Sequence, residues 1–193
     1  MPYLTTAVLP AGSLAQHPQP TIPTGDGLLL RPWRAEDAPA VHRAFQDPVM
    51  HQWHLRGADS EDEVRGWIDE WRNAWTQERA VQWAVVDADT DGLRGRVALR
   101  TMELHMGTAE VAYWTAAAAR GQGVAARATT ALTRWALDDM GFHRLELLHA
   151  VRNVASCRVA VRAGFALEGT KRSALLHPDG WHDMHLHARV RGD

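Results

Sequence analysis

The sequence predicts one α/β domain in which helices flank a mixed, mainly antiparallel sheet of about seven strands. Segments of alternating apolar and polar residues follow one another between positions 81 and 114. A glycine-containing loop then opens a helix, and two strand-like segments joined by a turn close the chain. The 193 residues, 46% of them hydrophobic, are enough for a single core.

An N-terminal extension is expected over residues 1–26, followed by the folded domain over residues 27–193. Prolines interrupt the extension at positions 2, 10, 18, 20 and 23. Because proline lacks an N–H and fixes its φ angle, it disfavours helices and central strands. We therefore expect this segment to be mobile or draped over the domain.

The domain opens with a predicted strand at Gly27–Arg34 and a helix at Ala35–Gln46, whose acidic first turn suits a helix N-terminus. Asp47-Pro48 breaks that helix, and the stretch from His51 to Arg56 is predicted to be irregular.

A stronger helix is predicted over Ser60–Glu78, where Ser60 and Glu63 have the spacing of a capping box. One face of this helix carries an apolar stripe made of Val64, Trp67, Ile68, Trp71 and Trp75. Such a stripe indicates packing in a core or a dimer, or else a wall of a substrate cleft.

Three antiparallel strands are predicted next, at Val81–Asp87, Leu93–Glu103 and Ala109–Trp114. The loop RGQGVA follows, and the helix that it opens is expected to run from Val124 to about Asp139.

The last part of the chain predicts a strand at His143–Val151 and a helix at Val154–Ala163 with Asn153 as its N-cap. Ala166–His177 and Trp181–Val190 are expected to pair as a hairpin around Pro-Asp-Gly.

The loop has the features of an anion-binding site. Gly121 and Gly123 remove side-chain bulk where the free N–H groups of a helix start would face a ligand. There is no Walker lysine, so a P-loop is excluded. A dinucleotide fingerprint through Gly121, Gly123 and Ala126 is an alternative, but five residues separate Trp114 from Arg120, whereas that fingerprint follows its strand directly. A helix start that binds nothing is a third interpretation.

Arg120-x-x-Gly123-x-Ala125, coming after a Tyr-Trp strand, resembles the acyl-CoA pyrophosphate loop of the GNAT N-acetyltransferases. The resemblance continues through Asn153-Val-Ala-Ser and Gly164-Phe-Ala-Leu-Glu-Gly. This combination of motifs resembles the Rim-type branch of the family, which includes ribosomal-protein N-terminal acetyltransferases. It extends over about Leu28–Val190 and is most specific within 109–169.

This resemblance implies a GNAT fold, acetyl-CoA as the acetyl donor, and a primary amine as the acceptor, either a protein or peptide N-terminus or a small molecule. It implies that the strand with Tyr113 and Trp114 diverges from the next strand and offers backbone groups to pantetheine and to the oxyanion. The residues implied to hold the pyrophosphate are Arg120, Gly121, Gln122, Gly123, Val124 and Ala125.

Two residues of the Asn-x-x-Ser segment also receive roles from the resemblance. Asn153 would hold the pantetheine arm or a water, and it can at the same time be a simple N-cap. Ser156 would protonate the departing thiolate where many relatives use tyrosine, or else it is an ordinary polar helix residue.

The general base is not assigned by the resemblance. Rim-type enzymes can use a glutamate on the strand after the last helix, and the corresponding position here is Leu175. Glu110 on the central strand is the nearest acidic substitute, unless it is bonded within the sheet. His177, His149 and a route through water are the alternatives.

The eleven histidines raise the question of a metal. Asp183, His185 and His187 share one face of a predicted strand, and such a set can bind zinc. Because neither a cysteine cluster nor a His-Glu-x-x-His motif accompanies them, no metal is expected, and the face is predicted to be solvated or to face the substrate.

Composition narrows the class of protein further. The net charge of −2 gives no basic field for nucleic acid, and no apolar run approaches a membrane span. The single Cys157 excludes an internal disulfide and suits a reducing cytoplasm. A homodimer is possible. The alternatives to an enzyme are an acyl-CoA-binding regulatory module without catalysis and, with less support, a dinucleotide-binding protein.

Overall fold

The computed structural model describes residues 4–193, which form an eight-stranded sheet flanked by five α-helices. The strands are β1 (Ile22–Pro23), β2 (Leu28–Pro32), β3 (Val81–Asp87), β4 (Leu93–Glu103), β5 (Thr108–Thr115), β6 (Arg144–Ala150), β7 (Ala166–His177) and β8 (Gly180–Val190). The helices are α1 (Ala38–Phe45), α2 (Pro48–Trp53), α3 (Glu61–Thr76), α4 (Val124–Arg134) and α5 (Val154–Arg162).

The strand order is β1-β2-β3-β4-β5-β6-β8-β7. Every neighbouring pair is antiparallel except β5 and β6, which are parallel. The prediction of a mixed, mainly antiparallel sheet is therefore confirmed. The additional strand is β1, which lies inside the segment expected to be an extension.

The N-terminal segment is draped over the domain from about Thr5 onward, while residues 1–3 of the predicted extension lie outside the described residues. Leu9 and Leu14 are buried in the core. The indole N–H of Trp75 donates to the carbonyl of His17 at 2.8 Å. The Glu78 carboxylate accepts three backbone N–H groups of the segment at 2.7, 2.8 and 3.2 Å. These contacts hold the segment against the end of α3.

Two helices differ from the sequence prediction. A short helix, α2, occupies part of the stretch expected to be irregular, because Asp47 accepts the N–H of Val49 at 2.9 Å as an N-cap and Pro48 suits the first helical position. The helix that opens at Val124 is regular only to Arg134 and continues as a π-helical turn over Trp135–Asp139.

Both faces of the sheet are covered. Along β3, Val81, Trp83 and Val85 belong to the larger core under α4 and α5, whereas Ala84 and Val86 belong to the smaller core under α1 and α3. The central strands are thus fixed on both sides. Within residues 4–193, no helix has the length and apolar composition to cross a membrane.

Candidate active site

A cleft opens where the two parallel strands part. β5 and β6 pair over only three residues, with Thr108–Glu110 opposite Arg144–Glu146. Beyond that point β5 remains bonded to β4 as far as Thr115, and β6 remains bonded to β8. The facing strand edges diverge, and the N–H and C=O groups on them need other partners. The cleft between them has a volume of about 730 Å³.

The glycine loop forms one rim of this cleft. Gly121 and Gly123 have φ angles of +76° and +73°, a region that side chains with a Cβ rarely adopt. Apart from its own chain neighbours, a Cβ built on either glycine would meet no heavy atom of the described residues within 4 Å, so both face open space. Gly123 is the N-cap of α4, and no side chain within residues 4–193 caps that helix. The first N–H groups of α4 are therefore available to an anion.

The loop is tied to the opposite wall of the cleft by an ion pair. The guanidinium of Arg120 lies 2.5 Å from the carboxylate of Asp47, which precedes α2. The N–H of Val49 and the charge of Arg120 lower the pKa of this half-buried carboxyl group. Asp47 was not identified from the sequence, where Asp-Pro indicated only a helix break.

The side chains of Gln122 and Val124 contact the protein itself. The Gln122 amide donates to the carbonyl of Ala118 at 2.9 Å, and the Val124 side chain is buried in the core. Val124 can therefore contact a ligand only through its backbone, whereas the exposed Gln122 uses only its side-chain nitrogen in the bond to Ala118. Ala125 lines the cleft directly.

The two sides of the cleft meet through a pair of hydroxyl groups. Tyr113 on β5 places its phenol oxygen 2.5 Å from Oγ of Ser156 on α5, and 3.3 Å from the Ser156 carbonyl oxygen. Burial raises the pKa of Tyr113 to about 12, so the phenol keeps its proton at neutral pH. The structure thus brings together two of the residues predicted to belong to the site.

Asn153 is the N-cap of α5, and its Oδ1 accepts the N–H of Ser156 at 3.1 Å. This bond uses only the carbonyl end of the amide. Asn153 also lines the cleft, so the cap and a ligand-binding role are compatible, as the sequence suggested.

Aromatic rings form the wall opposite α5. Trp67 and Trp71 from α3 line the cleft, whereas Trp75 on the same helix is buried in the core. The tryptophan stripe therefore fits both predicted alternatives: Trp67 and Trp71 form part of the cleft wall, and Trp75 packs in the core. Trp114 is 3% exposed and packs its ring 5.7 Å from that of Phe45, so its contribution to the strand edge comes from its backbone.

The floor of the cleft beside this wall is cationic. The guanidinium of Arg96 on β4 lies 5.2 Å from the ring centre of Trp71, and its Nε has no hydrogen-bond partner within the described chain. Desolvation and the neighbouring Arg100 lower the pKa of Arg96 to about 10, and it stays charged at neutral pH. Desolvation and the two arginines lower the pKa of His54 to about 4, so that ring is neutral.

The charge balance of the whole cleft favours an anionic ligand. Among the described residues that line it, six are arginines and one, Glu70, is acidic. The composition of the chain, with its net charge of −2, gave no sign of this concentration. These arginines are Arg56, Arg96, Arg100, Arg120, Arg158 and Arg162.

The candidate bases lie in different surroundings. Glu110 accepts from Arg100 at 2.6 Å and is not part of the cleft lining, which matches the alternative of a carboxylate bonded within the sheet. Leu175 lines the cleft. His177, two residues further along β7, is buried in the lining, and neither ring nitrogen has a hydrogen-bond partner among residues 4–193.

The prediction that the histidine-bearing face of β8 is solvated holds for Asp183, which is exposed, but not for the whole face. His185 is half-buried, and His187 is only 2% exposed because it lies on the side of the sheet where α5 packs. Asp183 does not join the histidines, and its carboxylate accepts the N–H of Ser173 at 2.8 Å.

Comparison with known proteins gives a consistent result. A family model described as "Acetyltransferase (GNAT) domain" matches residues 27–166. The ribosomal-protein-serine acetyltransferase of Escherichia coli (strain K12) is 33% identical over 100 residues, which are 52% of this chain and 56% of that protein.

Two solved structures show the same fold. RimL, a ribosomal L7/L12 alpha-N-protein acetyltransferase in complex with coenzyme A, superposes with a TM-score of 0.83 at 23% identity, over 89% of this chain and 98% of that one. The microcin C7 self immunity acetyltransferase MccE, in complex with acetyl-CoA and AMP, superposes with a TM-score of 0.80 at 20% identity, over 86% of this chain and 94% of that one.

The geometry of the loop generates a first prediction. Replacing Gly123 by Asp would place a side chain and a negative charge in the open space beside the helix start, and we expect the affinity for CoA to fall at least about 100-fold, which is ~2.7 kcal/mol. Calorimetric titration with CoA measures this. Gly25→Asp is the matched control, because Gly25 has a similar φ of +83° and equally open surroundings outside the cleft lining. Equal CoA affinity in the two variants would contradict the assignment of the loop.

Proposed function

The chain belongs to the GNAT acetyltransferase family, and from this premise we propose that it transfers the acetyl group of acetyl-CoA to the α-amine of a peptide or protein N-terminus. Family membership confirms the enzyme class and the acetyl-CoA co-substrate expected from the sequence. The observation that carries the proposal is the divergence of β5 and β6 between a free helix start and a cationic, aromatic floor.

Acetyl-CoA is proposed to enter with its pyrophosphate at the start of α4. The N–H groups of Gly121–Ala125 supply fixed donors, and the helix dipole adds positive potential. Arg120 is a positioning residue, since its guanidinium is already paired with Asp47 and holds the loop against α2. The unpaired edge of β5 beyond Glu110 offers donors to pantetheine and to the oxyanion of the tetrahedral intermediate.

Ser156 is proposed to protonate the thiolate of CoA as it leaves. Its hydroxyl is held by Tyr113 at 2.5 Å in the first turn of α5, where the dipole also favours an anion. Because the pKa of Tyr113 is raised to about 12, its phenol is protonated at neutral pH and can return a proton to Ser156.

The cationic floor selects the acceptor by chemistry. Only a neutral amine can attack the thioester, and an ordinary α-amine has a pKa of about 7.7–8.0 against about 10.4 for lysine. Arg96 and Arg100 would lower the pKa of a bound amine further, because like charges disfavour the ammonium form. The same arginines attract carboxylates, so we propose an acceptor with acidic residues close to its N-terminus.

His177 is proposed as the general base that takes the amine proton. It lies in the lining near Leu175, at the strand where Rim-type enzymes can carry a glutamate, and its ring nitrogens have no other partner within residues 4–193. The rings of Trp53 and His182 pack against it at 5.9 and 4.6 Å. Glu110, paired with Arg100, is the alternative base.

For Ser156→Ala we predict a loss of about 10–100-fold in kcat with a smaller change in KM for acetyl-CoA, because the hydroxyl matters when charge grows on sulfur. Ser156→Thr, which keeps the hydroxyl, should recover most of the rate. Steady-state rates under conditions where chemistry is limiting measure both. An unchanged kcat in the alanine variant would mean that Ser156 is only a helix residue.

The base is identified by the pH dependence of kcat/KM. In His177→Gln we expect the limb of the profile that reports the general base to disappear together with most of the activity. Glu110→Gln keeps the size and the hydrogen-bonding capacity of that side chain, and its profile should match the wild type. The reverse pattern would assign the base to Glu110, and two wild-type profiles would require a route through water.

The acceptor class is tested with a peptide panel and intact-mass detection. A peptide that begins with serine and continues with acidic residues should be acetylated at its α-amine at least about tenfold faster, in kcat/KM, than the same peptide with basic residues or one with a blocked N-terminus and a lysine. Arg96→Met keeps the packing on Trp71 without the charge and should remove most of this preference. Arg72→Gln, at an exposed position on α3, is the control. Faster acetylation of lysine or of free small amines would contradict an N-terminal acceptor.

A further inference from the structure

Four side chains that could hold a metal ion come together between the sheet and α5. They are His149 on β6, Cys157 on α5, and His185 and His187 on β8, and their ligand atoms all lie within 4.8 Å of one another. The β6–β8 register places His149 opposite His185 and Leu147 opposite His187, so all three histidines face α5. From this cluster we infer a binding site for one zinc ion.

The hydrogen bonds of the two buried histidines prepare them as ligands. Nδ1 of His149 lies 2.9 Å from the Ala150 carbonyl oxygen, and Nδ1 of His187 lies 3.3 Å from that of Phe165. Because a carbonyl oxygen only accepts, both Nδ1 atoms carry the proton, which leaves an unshared electron pair on each Nε2. A carbonyl partner on the second ring nitrogen is the usual arrangement for a histidine that binds metal.

The two Nε2 atoms are 3.2 Å apart. Two electron pairs at this distance repel unless a cation or a proton lies between them. A tetrahedral zinc with Zn–N bonds of about 2.0–2.1 Å separates its nitrogen ligands by roughly 3.3 Å, close to the distance observed.

Cys157 and His185 complete the set. Cys157 is the sole cysteine of the chain, and its thiol would lose a proton to solvent on binding. Nδ1 of His185 is buried without a partner in the described part of the protein. Three imidazoles and a thiolate in tetrahedral arrangement suit zinc, and four protein ligands leave no open position, as in structural sites.

Such an ion would stabilise the catalytic end of α5. Cys157 directly follows Ser156, so its bond to zinc would fix the first turn of α5 to β6 and β8. His149 itself lines the cleft, which places the ion at the inner wall of the active site. The inference does not depend on the proposed acceptor, since it concerns metal binding by the resting protein.

The test uses full-length protein without a histidine tag, purified without chelator. Elemental analysis should find about one zinc per chain. After removal of the metal by a chelator, cobalt(II) should produce the visible bands of a tetrahedral site together with a thiolate-to-metal band. Zinc at about 1,000 times its dissociation constant should raise the melting temperature of the metal-free protein by about 5–15 °C.

Two variants complete the experiment. Cys157→Ser should abolish the thiolate-to-metal band, and His143→Gln, at an exposed histidine outside the cluster, should leave every readout unchanged. If Cys157→Ser fails to fold, the metal content and the cobalt spectrum of the wild-type protein still decide whether the zinc site exists. Less than about 0.1 zinc per chain, with no tetrahedral cobalt spectrum, would overturn the inference and leave a shared proton between the histidines.

Discussion

The site depends on the short parallel pairing of β5 and β6. After three residue pairs, each strand continues with its other neighbour, so the sheet opens in its middle. The connection between the two strands is the glycine loop and α4, which begins at the rim of the opening. A strand edge without partners and a helix start without a cap are both costly in isolation. In the proposed binding mode acetyl-CoA would supply both, because its amides can pair with the strand and its pyrophosphate can accept the helix N–H groups.

The two sides of the opening differ in chemistry, and the difference organises the proposed reaction. On the donor side, the starts of α4 and α5 present N–H groups, and Tyr113 holds the hydroxyl of Ser156. On the acceptor side, Arg96 lies against Trp71 on a floor that keeps His54 neutral. A cationic floor disfavours ammonium groups, so it favours an amine of low pKa. The ion pair between Arg120 and Asp47 links the two sides mechanically.

Much of this could be predicted from the sequence, because local signals determined it. The glycine spacing, the Asn153 cap and the alternation of β3 to β5 all act over a few residues, and the family resemblance supplied the fold and the donor. The contacts that could not be predicted depend on how strands far apart in the sequence align with each other in the sheet. His149 meets His185 only through the β6–β8 ladder, and Arg100 meets Glu110 only through the β4–β5 ladder. The cytoplasmic location, the homodimer and the lack of a nucleic-acid partner stay predictions.

The central claim is that the opening between β5 and β6 holds acetyl-CoA, and a crystal structure of the protein with CoA tests it most directly. The account predicts pyrophosphate oxygens within hydrogen-bonding distance of the N–H groups of Gly121–Ala125, pantetheine along the free edge of β5, and the sulfur beside Ser156. A well-ordered CoA bound elsewhere on the protein, with the opening closed or filled by side chains, would contradict it.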